Sequence, residues 1–419
     1  MTDTDRSHAA ALDAVDPLAA LREEFVVASE QQVYLDGNSL GRLPRATAAR
    51  LAAVVHEDWG RGLVGSWHDW VDLAYRVGDA IGTALLGAAP GQTVVADSTS
   101  VNLYKLAAAA LDARPDRRVI VTDSRNFPSD RYVLEGLAAA RRLELRLLAT
   151  PTAEPVSAAD VAAALSEDVA LVSLSLVDYC SGALADLQSV TAAAHAAGAL
   201  ILWDLCHAAG AVPISLDDSK VDLAVGCTYK YLNAGPGAPA FLYVRDDLQE
   251  QLRQPIWGWF GQREQFRMGA TYDPAPGITR YLAGSPPVLA MTAVEAGVEV
   301  LARVGMTALR EKSVALTDYV IALADAWLEP LGVAVGTPRA VARRGAHVAL
   351  RHADAWQITQ MLITRYDVIP DFREPDIIRI GVPPAYTRFV DGWDALDRLR
   401  RGVAAGEHLT FAAERARVT

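Results

Sequence analysis

Cysteine is scarce in this chain: 419 residues contain three, Cys180, Cys206 and Cys227. Three cannot close an even set of disulfides, and their spacing matches no metal motif. The sequence therefore predicts no metal site, and it suits a reducing cytoplasm. Long apolar runs are also missing. The extended apolar stretch Tyr281 to Val294 is broken by Pro286-Pro287 and is too short to cross a bilayer. No membrane association is expected. Positive charge is in deficit, with a formal net charge of −12 and no basic patch. That argues against a nucleic-acid partner and leaves solubility as the role of the acidity. The opening residues, MTDTDRSHAA, lack the basic and apolar regions of a secretory signal, so none is expected. Internal repeats and low-complexity tracts are absent.

What is present is a globular composition, 51% hydrophobic and 21% charged. The length exceeds one ordinary domain and predicts a large domain with a smaller one. Short apolar runs alternate with helical stretches from Val94 to Val244. That order predicts an α/β fold with a mostly parallel, doubly wound sheet. After a long helical region, Met291 to Leu328 with a break at Gly305, strands are expected near Gly332–Val335, His347–Leu350 and Ile377–Ile380. Helices are expected near Ala355–Arg365 and Trp393–Arg415, making a smaller α+β domain. The predicted division is 1–45 as an N-terminal segment packing with the small domain and the active site, 46–305 as the large domain, and 306–419 as the small one.

The stretch from Ala199 to Val244 carries the chemistry. One apolar run ends on Asp204, with His207 three residues on. A second, Leu223 to Cys227, leads into Thr228-Tyr229-Lys230, and Asn233 to Gly237 make a glycine loop before a third run. Short Leu/Val/Ile runs bounded by turn residues are how buried parallel strands read. An acid at one strand end and a lysine just past the next suit a site at the carboxyl edge of an open sheet. Burying either charge alone is costly, so each needs a partner. Pyridoxal phosphate chemistry wants this pair. The lysine amine condenses with the aldehyde as a Schiff base, and the acid keeps the ring nitrogen protonated.

Elsewhere the residues leave alternatives open. Ser98-Thr99-Ser100 cap a predicted helix, either as simple caps or as a phosphate site. Phe127 is either core or a stacking ring. Trp59 to Trp70, expected as a loop, is either a core plug or a pocket wall. Tyr34 to Gly41 (YLDGNSLG) has the composition of an ordinary turn.

Together the motifs resemble kynureninase, a family of pyridoxal-phosphate hydrolases of fold type I. The matching stretches are YLDGNSLG, Phe127 to Asp130 (FPSD), Asp204 with His207 (DLCH), Tyr229 to Asn233 with Gly235 and Gly237, Gly258 to Gly261 (GWFG), and RIGVPPAYTRF from Arg379. They follow the family's order along nearly the whole chain. The resemblance implies hydrolytic Cβ–Cγ cleavage of L-kynurenine to anthranilate and L-alanine in tryptophan catabolism, with an outlet to NAD synthesis. It implies a homodimer with shared active sites. Lys230 would hold the cofactor, and Asp204 would face its ring nitrogen with His207 beside it. Phe127 would stack on the ring and Asp130 would hold the loop. Thr99, Ser100, Tyr229 and Trp259 would surround the phosphate, with Ser181 nearby and Ser285 reaching the neighbouring site. Tyr229 would shuttle a proton. Arg379 would clamp the substrate carboxylate, with Asn38, Ser39, Trp67 and Gly284 also on the substrate side. Trp67, Gly284 and Ser285 suggest a preference for kynurenine over 3-hydroxykynurenine. An aminotransferase of the same fold, or a non-catalytic protein of that fold, is the alternative. A desulfurase would need a cysteine after Lys230, and none follows it.

Overall fold

The computed structural model describes residues 4–151 and 153–414. A first short strand, β1 (Val33–Tyr34), pairs far along the chain. The main sheet then takes β2 (Thr93–Ala96), β3 (Val119–Asp123), β4 (Glu144–Leu148), β5 (Val169–Ser175), β6 (Leu200–Asp204), β7 (Leu223–Gly226) and β8 (Ala240–Val244). β5 and β6 read VALVSLS and LILWD and are buried almost throughout. A strand covered by helices on both faces has no solvent side, so its apolar residues run on without alternating.

The strand order is β2-β8-β7-β6-β5-β3-β4. Pairing is parallel from β4 through β3, β5 and β6 to β7. β8 is antiparallel to both its neighbours, β7 and β2. β2 to β7 therefore all point their carboxyl ends to one edge, and β8 enters from that edge. The chain steps outward from β3 to β4, then returns past β3 to β5. That reversal opens a crevice between the ends of β3 and β5, the place where an open sheet takes ligands.

A second sheet contains β9 (Ala334–Val335) and β10 (His347–Arg351). β11 (Val368–Ile369) lies outside it and pairs with β1, Val33 opposite Val368. β12 (Asp371–Arg373) and β13 (Ile377–Gly381) complete the second sheet in the order β12-β13-β10-β9, all antiparallel. Two hydrophobic cores result. One surrounds the main sheet. The other joins Val348, Leu350, Ile378 and Ile380 of the second sheet to Leu316, Val320 and Leu323 of the helix Met306–Trp327, and it takes in Val33 and Leu35. The expected break at Gly305 is where the helices Val288–Val304 and Met306–Trp327 meet, with Gly305 at φ 84.

Two elements differ from expectation. Trp59–Trp70 is not an open loop. A wide-turned helix runs Val54–Gly62, Leu63 breaks it at φ 50, and short helical turns follow over Leu63–Ser66 and Trp67–Trp70. Aromatic packing closes this segment, with Trp67 edge-on to Trp70 at 5.8 Å. The last helix is Phe389–Ala404, not Trp393–Arg415; Gly406, at φ 67, ends it. Gly is the residue that takes this left-handed conformation without steric cost. Arg415 itself lies outside the described residues.

The turn after β7 is clamped by two glycines. Gly41 donates its N–H to the Tyr229 carbonyl at 2.8 Å, and a Cβ there would strike the Lys230 carbonyl. A Cβ at Gly297 would strike the Leu232 carbonyl. Gly297→Ala is expected to destabilise the fold by about 1–3 kcal/mol, the usual cost of overpacking. An unchanged thermal midpoint would show that the turn has room to move.

Candidate active site

A cavity of about 570 Å³ opens at the carboxyl edge of the main sheet. Its wall is assembled from the segments that leave this edge. β2 is followed by Ser98, Thr99 and Ser100, β3 by Phe127 and Asp130, and β5 ends at Ser175. β6 ends on Asp204 with His207 beyond it, and β7 leads to Tyr229 and Lys230. Because β8 runs the other way, the segment before it, Gly237 to Pro239, also reaches the cavity.

Lys230 is buried, and its Nζ lies 3.0 Å from His207 Nε2. Burial, and then the charge of Lys230, push the His207 imidazole well below its usual pKa. The ring is therefore neutral and accepts from the lysine through Nε2. Its Nδ1 has no partner among the described residues. The amine also faces Phe127, 5.7 Å from the ring centre. No carboxylate forms an ion pair with this amine among the described residues.

At another side of the cavity Asp130 and Asp204 meet, 2% and 5% exposed. Burial first, and then the neighbouring Asp204, raise the Asp130 carboxyl well above the carboxylate range. Two buried carboxyl groups in contact resist ionising together, which holds Asp130 toward its protonated form. Asp204 is fixed from behind, accepting from Cys206 N at 2.6 Å. Asp130 Oδ2 has no other hydrogen-bond partner among the described residues.

The end near β2 is built for an anion. Ser98 caps the helix Thr99–Asp112, accepting from Val101 N at 3.4 Å, so the free amides of its first turn and the hydroxyls of Thr99 and Ser100 sit at one place. Asp97 holds the turn at φ 47 and pairs with the fully buried Lys105 at 2.8 Å. Tyr229 is half-buried, and burial, then Cys227, push its phenol up, so it keeps its proton.

Nine expected residues line this cavity: Lys230, Asp204, Tyr229, Thr99, Ser100, Phe127, Asp130, His207 and Ser285. Others lie elsewhere. Ser181 is buried behind the wall, where its hydroxyl donates to Asp178 at 2.8 Å and its carbonyl accepts from Thr337. Ser175, at the end of β5, occupies the wall instead. Trp259 and Trp67 pack on each other at 6.3 Å, away from this wall. Gly284 lines a small neighbouring hollow of about 60 Å³, shared with Ser285. Arg379 sits behind Tyr179, giving Nη1 to the Tyr179 carbonyl at 2.6 Å and Nη2 to Ser39 at 2.9 Å. Asn38 is fully buried nearby, its amide without a partner among the described residues.

Sequence reasoning missed Ser175, Tyr179, Asp97 and Cys206 on the wall. Their signal was position, since each ends a strand or follows one at the carboxyl edge. It also missed His347, a fully buried histidine whose ring stands 5.6 Å from that of His207.

The kynureninase C-terminal domain family matches residues 309–399. The kynureninase of Pseudomonas fluorescens is 45% identical over 404 residues, covering 94% of this chain and 95% of that protein. That of Burkholderia pseudomallei is 46% identical over 403 residues, covering 94% of each. The chain belongs to the kynureninase family. Among solved structures, the cysteine desulfurase CsdA of Escherichia coli superposes with a TM-score of 0.80 at 16% identity, covering 93% of this chain and 99% of that one. The apo cysteine desulfurase of Thermococcus onnurineus NA1 gives 0.76 at 17%, covering 93% and 97%. At such identity the likeness speaks for the fold, which is that of the fold type I pyridoxal-phosphate enzymes.

Within this kynureninase fold the cavity suits a flat cofactor with three handles. An aldehyde would meet an amine with no ion-pair partner among the described residues, a ring nitrogen could face the buried acid pair, and a phosphate could be held at a helix N-terminus with two hydroxyls. The partnerless Asp130 Oδ2 and His207 Nδ1 are the buried polar atoms that such a group would meet.

The neutral histidines generate a pH dependence. Burial first, and then Arg379, depress His347 from 6.5 to about 3. Between those values the unfolded chain takes up a proton that the folded chain refuses, so stability falls as pH drops below about 6.5. His347→Gln removes one such proton. Its denaturation midpoint is expected to fall less steeply from neutral to mildly acidic pH than that of the parent, and parallel slopes would contradict a neutral His347.

Proposed function

We propose that this protein is a pyridoxal-phosphate hydrolase that cleaves the Cβ–Cγ bond of L-kynurenine, yielding anthranilate and L-alanine. The observation that carries the reading is Lys230, buried beside a neutral His207 without an acid partner, in a chain of this family. When bound, the cofactor supplies an electron sink for the pair left at Cα and later for the pair of the breaking Cβ–Cγ bond.

The chain's own residues do the rest. Lys230 Nζ takes the α-proton of the substrate, and neutral His207 accepts a hydrogen bond from that amine and adds no charge. The Asp130–Asp204 pair would face the ring nitrogen of the bound cofactor and favour its protonated form. Thr99, Ser100 and the helix amides would hold the phosphate, and Phe127 would stack on the ring. Tyr229, still protonated, passes a proton to and from the water that adds to the γ-carbonyl, help worth about 10²–10⁴-fold in rate. Arg379 takes the α-carboxylate in the two-point geometry that only a guanidinium fork offers. Asn38 and Ser39 stand beside it.

The reading extends to a homodimer with shared sites. Support comes from exposed apolar side chains on two segments, Trp59, Leu63 and Val64 on one and Trp257, Phe266 and Met268 on the other. A second copy covering them would bring its Trp259, Trp67, Gly284 and Ser285 toward this cavity. The N-terminal segment (1–45), large domain (46–305) and small domain (306–419) are part of the same reading, as are a cytoplasmic location and a role in tryptophan catabolism feeding NAD synthesis. No helix among the described residues is long and apolar enough to cross a membrane.

Incubation with L-kynurenine should release anthranilate and alanine in equal amounts, and formation of a keto acid instead would favour an aminotransferase. Lys230→Ala should lose nearly all turnover and leave no cofactor attached to the chain after borohydride reduction, as read by intact mass; an attached cofactor would move the anchor to another lysine.

Substrate choice follows from Ser285 and Gly284. A 3-hydroxyl buried against Trp67 without a partner costs about 1–3 kcal/mol. Serine at 285 is short, and Gly284 adds no side chain. The expected kcat/KM for kynurenine is thus roughly tenfold to a hundredfold above that for 3-hydroxykynurenine. Equal values, or the reverse order, would show that the hydroxyl finds a partner.

A further inference from the structure

Arg379 lies on β13 with Asp371 opposite it in register on β12. Asp371 is 2% exposed and meets three groups: Arg379 Nη2, Arg373 Nη2 at 2.9 Å, and the Ser39 hydroxyl, which donates to it at 3.2 Å. Arg379 is itself 1% exposed. A guanidinium has five N–H donors. Tyr179, Ser39 and Asp371 take part of this set, and Nε has no partner among the described residues. A second acid, Asp36, also acts on the same guanidinium. Two carboxyl groups therefore compete for one buried cation.

We propose that Asp371 is the positioning residue of the carboxylate clamp, holding the Arg379 guanidinium against Tyr179, a cavity-wall residue, and away from Asp36. The inference rests on the reading of Arg379 as the clamp. Arg373 makes the arrangement workable. Because Asp371 is shared between two arginines, it keeps a partner when an arm of Arg379 turns to a substrate, and no buried charge is left alone. Ser39 steadies both partners, since its hydroxyl donates to Asp371 and accepts from Arg379.

Replacing the carboxylate by an amide removes this balance. An asparagine keeps one acceptor oxygen but loses the charge and the second acceptor, so it holds the two guanidinium groups more weakly. Arg373 and Arg379 would then repel across a neutral side chain, and Arg379 would turn to Asp36. The substrate carboxylate would lose its fork. The steps at Lys230 use other groups and would suffer less.

The test uses the holoenzyme and its Asp371→Asn variant. L-Kynurenine is the substrate, and kynuramine, the same molecule without the α-carboxylate, is the competing ligand. The expected result is a KM raised about tenfold to a hundredfold, a smaller fall in kcat, and unchanged inhibition by kynuramine. An unchanged or lowered KM overturns the inference, and so does an equal loss of affinity for kynuramine, which would mark a general scaffold role. Arg379→Ala is run in parallel. If it too leaves KM intact, the clamp reading falls together with the inference; if it alone raises KM, only the role of Asp371 falls. Should Asp371→Asn fail to fold, Asp371→Glu keeps the charge and displaces the carboxylate by one methylene. The same split, reduced in size, is then expected, and its absence overturns the inference.

Discussion

An amine that must react inside a protein has to be desolvated without being captured by an acid. Lys230 meets that demand by resting on a histidine that burial keeps neutral. Of the three acids on the cavity wall, Asp97 pairs with Lys105, and Asp130 and Asp204 are occupied with each other. Each of these groups thus has a partner, and no acid is paired with the Lys230 amine among the described residues. This arrangement depends on the direction of the sheet. Asp130 follows β3, Asp204 ends β6 and Lys230 follows β7, and these strands are parallel. A reversal of any one of them would send its residue to the far edge.

The main sheet and its polar strand ends were legible because both follow from local pattern. A buried strand reads as a short apolar run, and a polar residue at its carboxyl end stands out, as Asp204 and Lys230 do. The same rule, applied to VALVSLS, would have found Ser175, whereas Ser181, which entered through the family resemblance, has its hydroxyl taken by Asp178. Partnerships across strands were not legible. Arg379 entered through the family resemblance, but its neighbour Asp371 is fixed by the register of a hairpin. His347 looked like an ordinary strand residue because its contact with His207 spans the two sheets. The tryptophan segment was mistaken for a loop because aromatic packing holds its helical turns.

The likeness to desulfurases separates scaffold from reaction. Chains 16–17% identical to this one share the sheet and its carboxyl edge. What differs is the set of side chains placed there. All three cysteines of this chain precede Lys230, and Cys206, on the cavity wall, accepts at its sulfur from the backbone N–H of Cys227 at 3.2 Å.

The parallel pairing of β1 with β11 joins residue 33 to residue 368. A ribosome makes these two strands hundreds of residues apart, so most of the polypeptide must be translated before β1 can dock. Domains fold as units during synthesis, the earlier ones first. The seven-stranded sheet can therefore assemble on the nascent chain while Asn38 and Ser39 still wait for their neighbours. Completion of the Arg379 cluster behind Tyr179 is thereby tied to the last quarter of translation, and a truncated product would carry the cavity at the sheet edge without it.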